Sequence, residues 1–576
     1  MKLSLMTKST PRLFILFFLM LPAALAAQEL VYESGGKLTP ELASFDVTYY
    51  NLDVEINPAD STLSGFVDVY FTVVQPTNQI ALALDPRLTI SSVHKLNNPD
   101  IPVPITRTET DRTFYVHFPQ TLQPGTKESL RIEYGGKPKI AENPPWDGGV
   151  VWVTTPSGEP WVAVANQTIG AWVWWPNKDH VSDKADSVSV NFTMPEELTV
   201  ASNGRLRGTT NLEGGTKTWH WFVSVPINNY NISFNAAPYE TISEPYTSTN
   251  GDEFDITFWV LPEFMKEGEE LFPQFAEQIR FLEEILGPYP FRTDKYGVAH
   301  TPYLGMEHQS IIAYGAGFEN GALFGETADF DDLHQHELAH EWWGNLVTVW
   351  DWRDFWLHEG FGTYMQPLYA EYLGGKEAYH EMMDLLRTRI SEEDAMAVAP
   401  RESMSTVEIT QGSRGGNIYY KGAWFLHTLR YVIGDDHFFT ILRRFAYPTE
   451  EMESVTNGDQ VRFATTDDFL HLSEEISRMD LDWLFNVYLR KAELPVLHAS
   501  RRGGLVVLEW RTQNNLPFPM PIEVRVDGQV ITLVPENNRI SFELPNQIEV
   551  EADPDNWILK KFELAGASNR ENENGE

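Results

Sequence analysis

His336-Glu337-Leu338-Ala339-His340, followed after eighteen intervening residues by Glu359 within Trp356-Leu357-His358-Glu359-Gly360-Phe361-Gly362-Thr363-Tyr364, decides how the rest of the chain is read. A helix turns by about 100° per residue, so His336 and His340 share one face and their imidazoles can grip one metal ion. A catalytic zinc takes three protein ligands and keeps a further position open for water. Glu359 fits as the third ligand. Glu337, beside the first ligand, can lean over the open position as a general base without binding the metal. The expected content is one Zn2+ per chain, held by His336, His340 and Glu359.

The patterning around this centre divides the chain. From about residue 40 to 240, short alternating segments such as Phe66-Val67-Asp68-Val69-Tyr70-Phe71, Thr113-Phe114-Tyr115-Val116-His117-Phe118 and Ser187-Val188-Ser189-Val190-Asn191-Phe192 read as strands between Gly, Pro and Asn turns. One more strand is expected at 256–261. Helical periodicity then takes over at 263–286, 331–345, 356–373, 376–390, 416–433, 436–446, 466–476 and 480–490. Alternation returns after Pro495 in 505–510, 522–526 and 529–533. The expected fold class is multidomain α+β: an N-terminal β saddle or sandwich (28–243), a mostly helical zinc domain (244–492) and a small C-terminal β-sandwich (493–567). A disordered polar tail is expected over 568–576.

Composition narrows the function classes. A net charge of −39 over 576 residues argues against nucleic acid and anionic membrane surfaces as partners. With no cysteine there are no disulfides, no thiol catalysis and no thiolate zinc ligands. The first 27 residues carry Lys2, Lys8 and Arg12, an apolar run from Leu13 to Ala24 and the small-residue site Ala24-Leu25-Ala26, the pattern of a secretory signal peptide. The expected location is therefore secreted or periplasmic, with no membrane span after cleavage.

The stretch His336-Glu337-Leu338-Ala339-His340-Glu341-Trp342-Trp343-Gly344-Asn345, its eighteen-residue gap and Leu357-His358-Glu359-Gly360 resemble the aminopeptidase N family of gluzincins, which includes the leukotriene hydrolases. The resemblance covers most of the chain but lacks the large C-terminal helical domain of longer members. It implies a thermolysin-like catalytic domain and hydrolysis of the first bond of peptides with a free amino terminus. It also implies substrate contacts from Leu304-Gly305-Met306-Glu307-His308, where Glu307 would pair with the α-ammonium beside Gly305 and Met306. Leu304 and His308 depart from the family's Gly and Asn. The second amine anchor implied is Gln167 in Asn166-Gln167-Thr168, and the oxyanion donor is Tyr419 in Tyr419-Tyr420-Lys421-Gly422, with Tyr420 as its neighbouring alternative.

Trp172, Trp174 and Trp175 read as core, and Trp342 and Trp343 as packing for the zinc helix. Glu341 reads equally as a ligand-orienting group or as an exposed helix charge. Two competing functions stay open at this level: a thermolysin-type endopeptidase without an amine anchor, and a non-catalytic zinc-stabilised peptide-binding protein.

Overall fold

The computed structural model describes residues 30–564 apart from 109, 392–402, 411 and 546. The expected leader (1–27) and the polar tail (568–576) lie outside the described residues.

Alternation in the N-terminal third becomes a layered β structure. In Ser187–Pro195, Val188, Val190, Phe192 and Met194 are buried while the intervening residues face outward. This strand pairs parallel with Phe45–Asn57 and antiparallel with Thr216–Val223 inside an eight-stranded sheet. A three-stranded sheet of Thr77–Ala83, Thr113–Leu122 and Ile105–Arg107 brings Phe114, Val116 and Phe118 into the same core as Val67, Val69 and Phe71. Trp172, Trp174 and Trp175 are fully buried there, so they serve packing. A four-stranded sheet, which includes Pro160–Ala165 and Phe234–Ala237, carries the chain towards the helical region.

The zinc-motif region is less purely helical than its periodicity suggests. A five-stranded sheet, in the order Glu240–Thr247, Glu253–Val260, Tyr296–His300, Ile312–Tyr314, Gly305–Met306, precedes the motif helix. Tyr296–His300 and Ile312–Tyr314 are buried at every position, so they show no period-two signal to distinguish them from helix or loop. The single helix expected over 263–286 is broken into Met265–Leu271 and Pro273–Leu286, because Pro273 has no N–H to continue the first helix and starts the second. The motif helix is Asp332–Ala339, shorter than the expected 331–345. His340 caps it, and the chain turns at Gly344 with φ 130°.

The segment carrying Glu359 is helical from Trp356 to Thr388, interrupted at Gly375 with φ 76°, so the two expected helices abut end to end. Helix Gly412–Ile433 lies against it. Aromatic side chains join this helix to its neighbours: the Trp356 and Phe425 ring centres are 5.5 Å apart, those of Trp343 and Phe361 4.8 Å, and those of Phe361 and Phe469 5.0 Å.

Beyond Val496 the chain forms a four-stranded and a three-stranded sheet. They adjoin the helices where Trp557 stacks on His427 at 4.6 Å and the Tyr488 hydroxyl donates to the carbonyl of Leu559 at 2.7 Å. Among the described residues no helix is long and apolar enough to cross a membrane.

Candidate metal centre

Asp331 starts the motif helix by accepting from the His334 N–H at 2.8 Å, and its other oxygen accepts from the Tyr314 hydroxyl at 2.5 Å. This ties the helix to the buried sheet. One turn on, His336 and His340 face the same side as expected, with Nε2 atoms 3.2 Å apart. Glu359 Oε2 lies 3.6 Å from the first and 3.4 Å from the second.

These separations test the metal. Zinc bonds of about 2.0–2.2 Å in a tetrahedron require ligand atoms roughly 3.3–3.6 Å apart, close to the triangle seen. Glu359 Oε2 is buried and has no hydrogen-bond partner among the described residues, as a metal-directed oxygen should be. His340 Nδ1 sits 2.8 Å from the carbonyl of Trp343, which sets the tautomer leaving Nε2 free for an ion. Among the described residues this is the one His and carboxylate group able to hold a metal.

Two glycine contacts make the convergence possible. A Cβ on Gly362 would lie 3.2 Å from His340 Cε1 and 3.4 Å from His336 Cε1, so anything larger there crowds both imidazoles. Gly360 and Gly422 face each other so closely that a Cβ on either would be 2.9 Å from the other's Cα. That close helix crossing carries Tyr419, one turn before Gly422, over the metal ligands: its ring stacks on His336 with centres 6.1 Å apart. Tyr420 lines the same cavity but turns its hydroxyl to Arg389, 3.4 Å away. The sequence reading missed these glycines, although glycine inside a helical pattern is the signal that would have found them.

Of the remaining expected residues, Gln167 and Glu307 gather beside Glu359, and Gly305 and Met306 beside the motif helix. Gln167, from a turn of the N-terminal region, donates through Nε2 to Glu307 Oε1 and, at 2.9 Å, to Glu359 Oε1. The turn is held by the Thr406 hydroxyl, which donates to the carbonyl of Thr168, and by the Tyr303 hydroxyl, which donates to the carbonyl of Val164 at 2.7 Å. Gly305 and Met306 form a short strand beside the motif helix, and Glu337 reaches so near that a Cβ on Gly305 would be 2.5 Å from its Oε1.

Glu341 is fully buried, which overturns the exposed-charge alternative, and its hydrogen bonds among the described residues go to groups other than the metal ligands. It accepts from the backbone N–H of Ser310 at 2.7 Å, from the Tyr289 hydroxyl at 3.2 Å and from Asn345 Nδ2 at 3.2 Å. Asn345 Nδ2 also donates to the carbonyl of Glu307 at 3.0 Å, so Glu341 and Asn345 together fix the strand that presents Glu307. His308 is buried with no partner at either ring nitrogen.

The electrostatics call for cations. Burial, reinforced by Glu307 and Glu359, pushes the Glu337 carboxyl well above the usual range, with His340 pulling the other way. Burial likewise raises Glu307. Burial opposes the charge of Glu359 too, but His340 and His336 outweigh it and hold that group below the ordinary value. Three buried carboxylates around one point are stable as anions only with positive charge among them. They line a cavity of about 620 Å³ together with His336, His340, Gln167 and Tyr419.

The peptidase M1 N-terminal domain model matches residues 47–230, and the peptidase family M1 domain model matches residues 274–488. Leucine aminopeptidase 2 of Vanderwaltozyma polyspora is 26% identical over 367 residues, covering 61% of this chain and 52% of that protein. Aminopeptidase N of Homo sapiens is 24% identical over 326 residues, 51% of this chain and 33% of that protein. The chain thus spans about half or less of these two relatives. An M1 zinc metallopeptidase from Deinococcus radiodurans, solved as a variant bound to a Tyr-Ser-Ala substrate, shares the fold with a TM-score of 0.62 at 25% identity, over 77% of this chain and 94% of that one. The first model spans the turn bearing Gln167 and the second both ligand helices and Tyr419, so the whole cluster falls within matched sequence, and the chain belongs to peptidase family M1.

Proposed function

We propose that the protein is a zinc aminopeptidase that removes single residues from the free amino terminus of peptides. The observation that carries this reading is the bridge from Gln167 to both Glu307 and Glu359. A carboxylate that can hold an α-ammonium is thereby linked by a single side chain to a metal ligand, which leaves space for about one residue before the reacting bond.

Bound by His336, His340 and Glu359, a zinc ion would supply Lewis acidity, polarising the scissile carbonyl and acidifying water. The protein's own groups do the rest. Glu337, which lines the cavity beside the metal ligands, accepts the proton of the attacking water and delivers it to the departing amine. Tyr419, its ring against His336, donates its hydroxyl hydrogen to the oxygen of the tetrahedral species. Glu307 and Gln167 fix the ammonium so that only the first carbonyl reaches this position. Gly305 and Met306 supply the strand edge along which the peptide lies.

The proposal includes domain limits of 28–243, 244–492 and 493–567, the last a small β-sandwich, and export from the cytoplasm directed by residues 1–27. Zinc-loaded protein should cleave a free peptide and leave its amino-acetylated twin intact. Glu337→Gln should retain one zinc per chain while kcat falls by about 10²–10⁴-fold. Equal cleavage of the acetylated peptide would make the enzyme an endopeptidase, and an active Glu337→Gln protein would remove the base.

A further inference from the structure

Arg389 is the only lysine or arginine among the described residues lining the catalytic cavity, whose walls also carry Asp147, Glu307, Glu337 and Glu359. It is held rigidly. Nη2 donates to the carbonyl of Leu323 at 2.7 Å and Nη1 to the Tyr420 hydroxyl at 3.4 Å, while the guanidinium lies over the rings of Phe324 at 4.7 Å and Tyr420 at 5.5 Å. A guanidinium has five N–H donors, and these contacts use two. None of its partners among the described residues is a carboxylate. In a chain of net charge −39, a partly buried arginine that lines a cavity with no acidic partner among the described residues calls for an explanation.

Its position supplies one. The amine-holding pair, Gln167 and Glu307, adjoins Glu359. Arg389 is joined to the site by other routes. The Leu323–Phe324 turn it grips is tied through both backbone N–H groups to Asp332, which directly precedes Leu333 on the turn leading to His336 and Glu337. From the other direction, Tyr420 links it to Tyr419, at 6.2 Å between ring centres, and Tyr419 to His336 at 6.1 Å. The cavity therefore holds carboxylates where a substrate's ammonium would sit, and a guanidinium joined instead to the helix of the base and to the oxyanion donor. An extended peptide advances about 3.3–3.6 Å per residue. The steps from Arg389 to the Tyr420 ring, on to Tyr419 and on to His336 measure 5.5, 6.2 and 6.1 Å, a path that about five extended residues cover at most.

We propose that Arg389 receives a carboxylate on the leaving-group side of the substrate, so that the enzyme favours short peptides ending there or peptides with an acidic side chain there. This deepens the aminopeptidase reading and rests on it. A guanidinium with a pair of free donors matches a carboxylate in a fork that a neutral amide cannot reproduce. Such a pair is worth roughly 10- to 100-fold in kcat/KM.

The test compares kcat/KM of the zinc-loaded protein on Ala-Ala-Ala and its C-terminal amide, and on Ala-Asp-Ala amide and Ala-Asn-Ala amide. The first pair reads a terminal carboxylate and the second an acidic side chain. Wild type should prefer the carboxylate in at least one pair by roughly 10-fold or more. Arg389→Gln should reduce that ratio to within about threefold, and Arg389→Lys should restore part of it. A purely structural loss lowers both members of a pair alike and leaves the ratio standing. Arg389→Met, which keeps an apolar stem on Phe324 and Tyr420, serves if the glutamine variant does not fold. Absence of a preference in wild type, or its survival in the arginine variants, overturns the proposal. If no unblocked peptide is hydrolysed, the aminopeptidase reading fails instead. Calorimetric binding of the same four peptides to the wild type and the Arg389 variants then decides the role of Arg389 by the same ratios.

Discussion

Replacing Gly305 with alanine perturbs the general base while leaving the metal ligands untouched. The new Cβ would sit 2.5 Å from Glu337 Oε1, 3.1 Å from its Cδ and 2.9 Å from Leu333 Cδ1. Ordinary contact begins near 3.4 Å. The carboxylate oxygen must therefore withdraw by roughly 1 Å, a misplacement that costs about 10²-fold in rate. What yields is the far end of a flexible side chain, so the folding cost is a rotamer adjustment of about 0.5–1.5 kcal/mol. The assay is kcat on an amino-acid anilide, with zinc content by atomic absorption and Tm by calorimetry. The expected result is a kcat about 10²-fold lower, with one zinc retained and little change in Tm. In a Glu337→Gln background the same substitution should change kcat by less than about threefold, since the displaced group no longer acts as the base. A wild-type kcat in Gly305→Ala, or a full loss added to that of Glu337→Gln, would show that Glu337 is not the group being displaced.

Gln167→Ala removes the amide shared by Glu307 and Glu359, and a lost hydrogen bond to a charged group should raise KM about 10-fold or more while kcat stays within about threefold. An unchanged KM would take Gln167 out of amine binding. His308 provides a stability test. Burial pushes its pKa down to about 3 from an ordinary 6.5, so below about pH 6.5 the unfolded chain takes up a proton that the folded chain refuses. That contribution is complete above this pH and is lost, at up to about 1.4 kcal/mol per pH unit, as the pH falls towards 4. His308→Asn should therefore flatten the decline of Tm between about pH 6.5 and 4, and an equally steep decline would refute the burial argument.

The metal-binding half of the site was legible because it is local. Two histidines four apart need only a helix to converge, and the glutamate beside the first inherits its place from the same turn. The strands of the N-terminal region were legible for a similar reason: Ser187–Pro195 buries every second residue, and a half-buried strand writes that alternation into its letters. Tyr296–His300 and Ile312–Tyr314 carry no such record because both their faces are covered.

The sequence by itself determined which atoms can bind a metal, which carboxylate lies next to them, and where β patterning gives way to helix. Only the tertiary structure decided that Glu359 Oε2 closes a triangle of metal dimensions, and that the contact of Gly360 with Gly422 lets one helix bring Tyr419 over His336. It also decided that Glu341 is a buried support for the Glu307 strand and that Arg389 lines the cavity. The reason is physical. Helix and strand periodicities encode neighbours a few residues apart, whereas these contacts join segments tens to hundreds of residues apart, and their geometry is set by how packed surfaces meet.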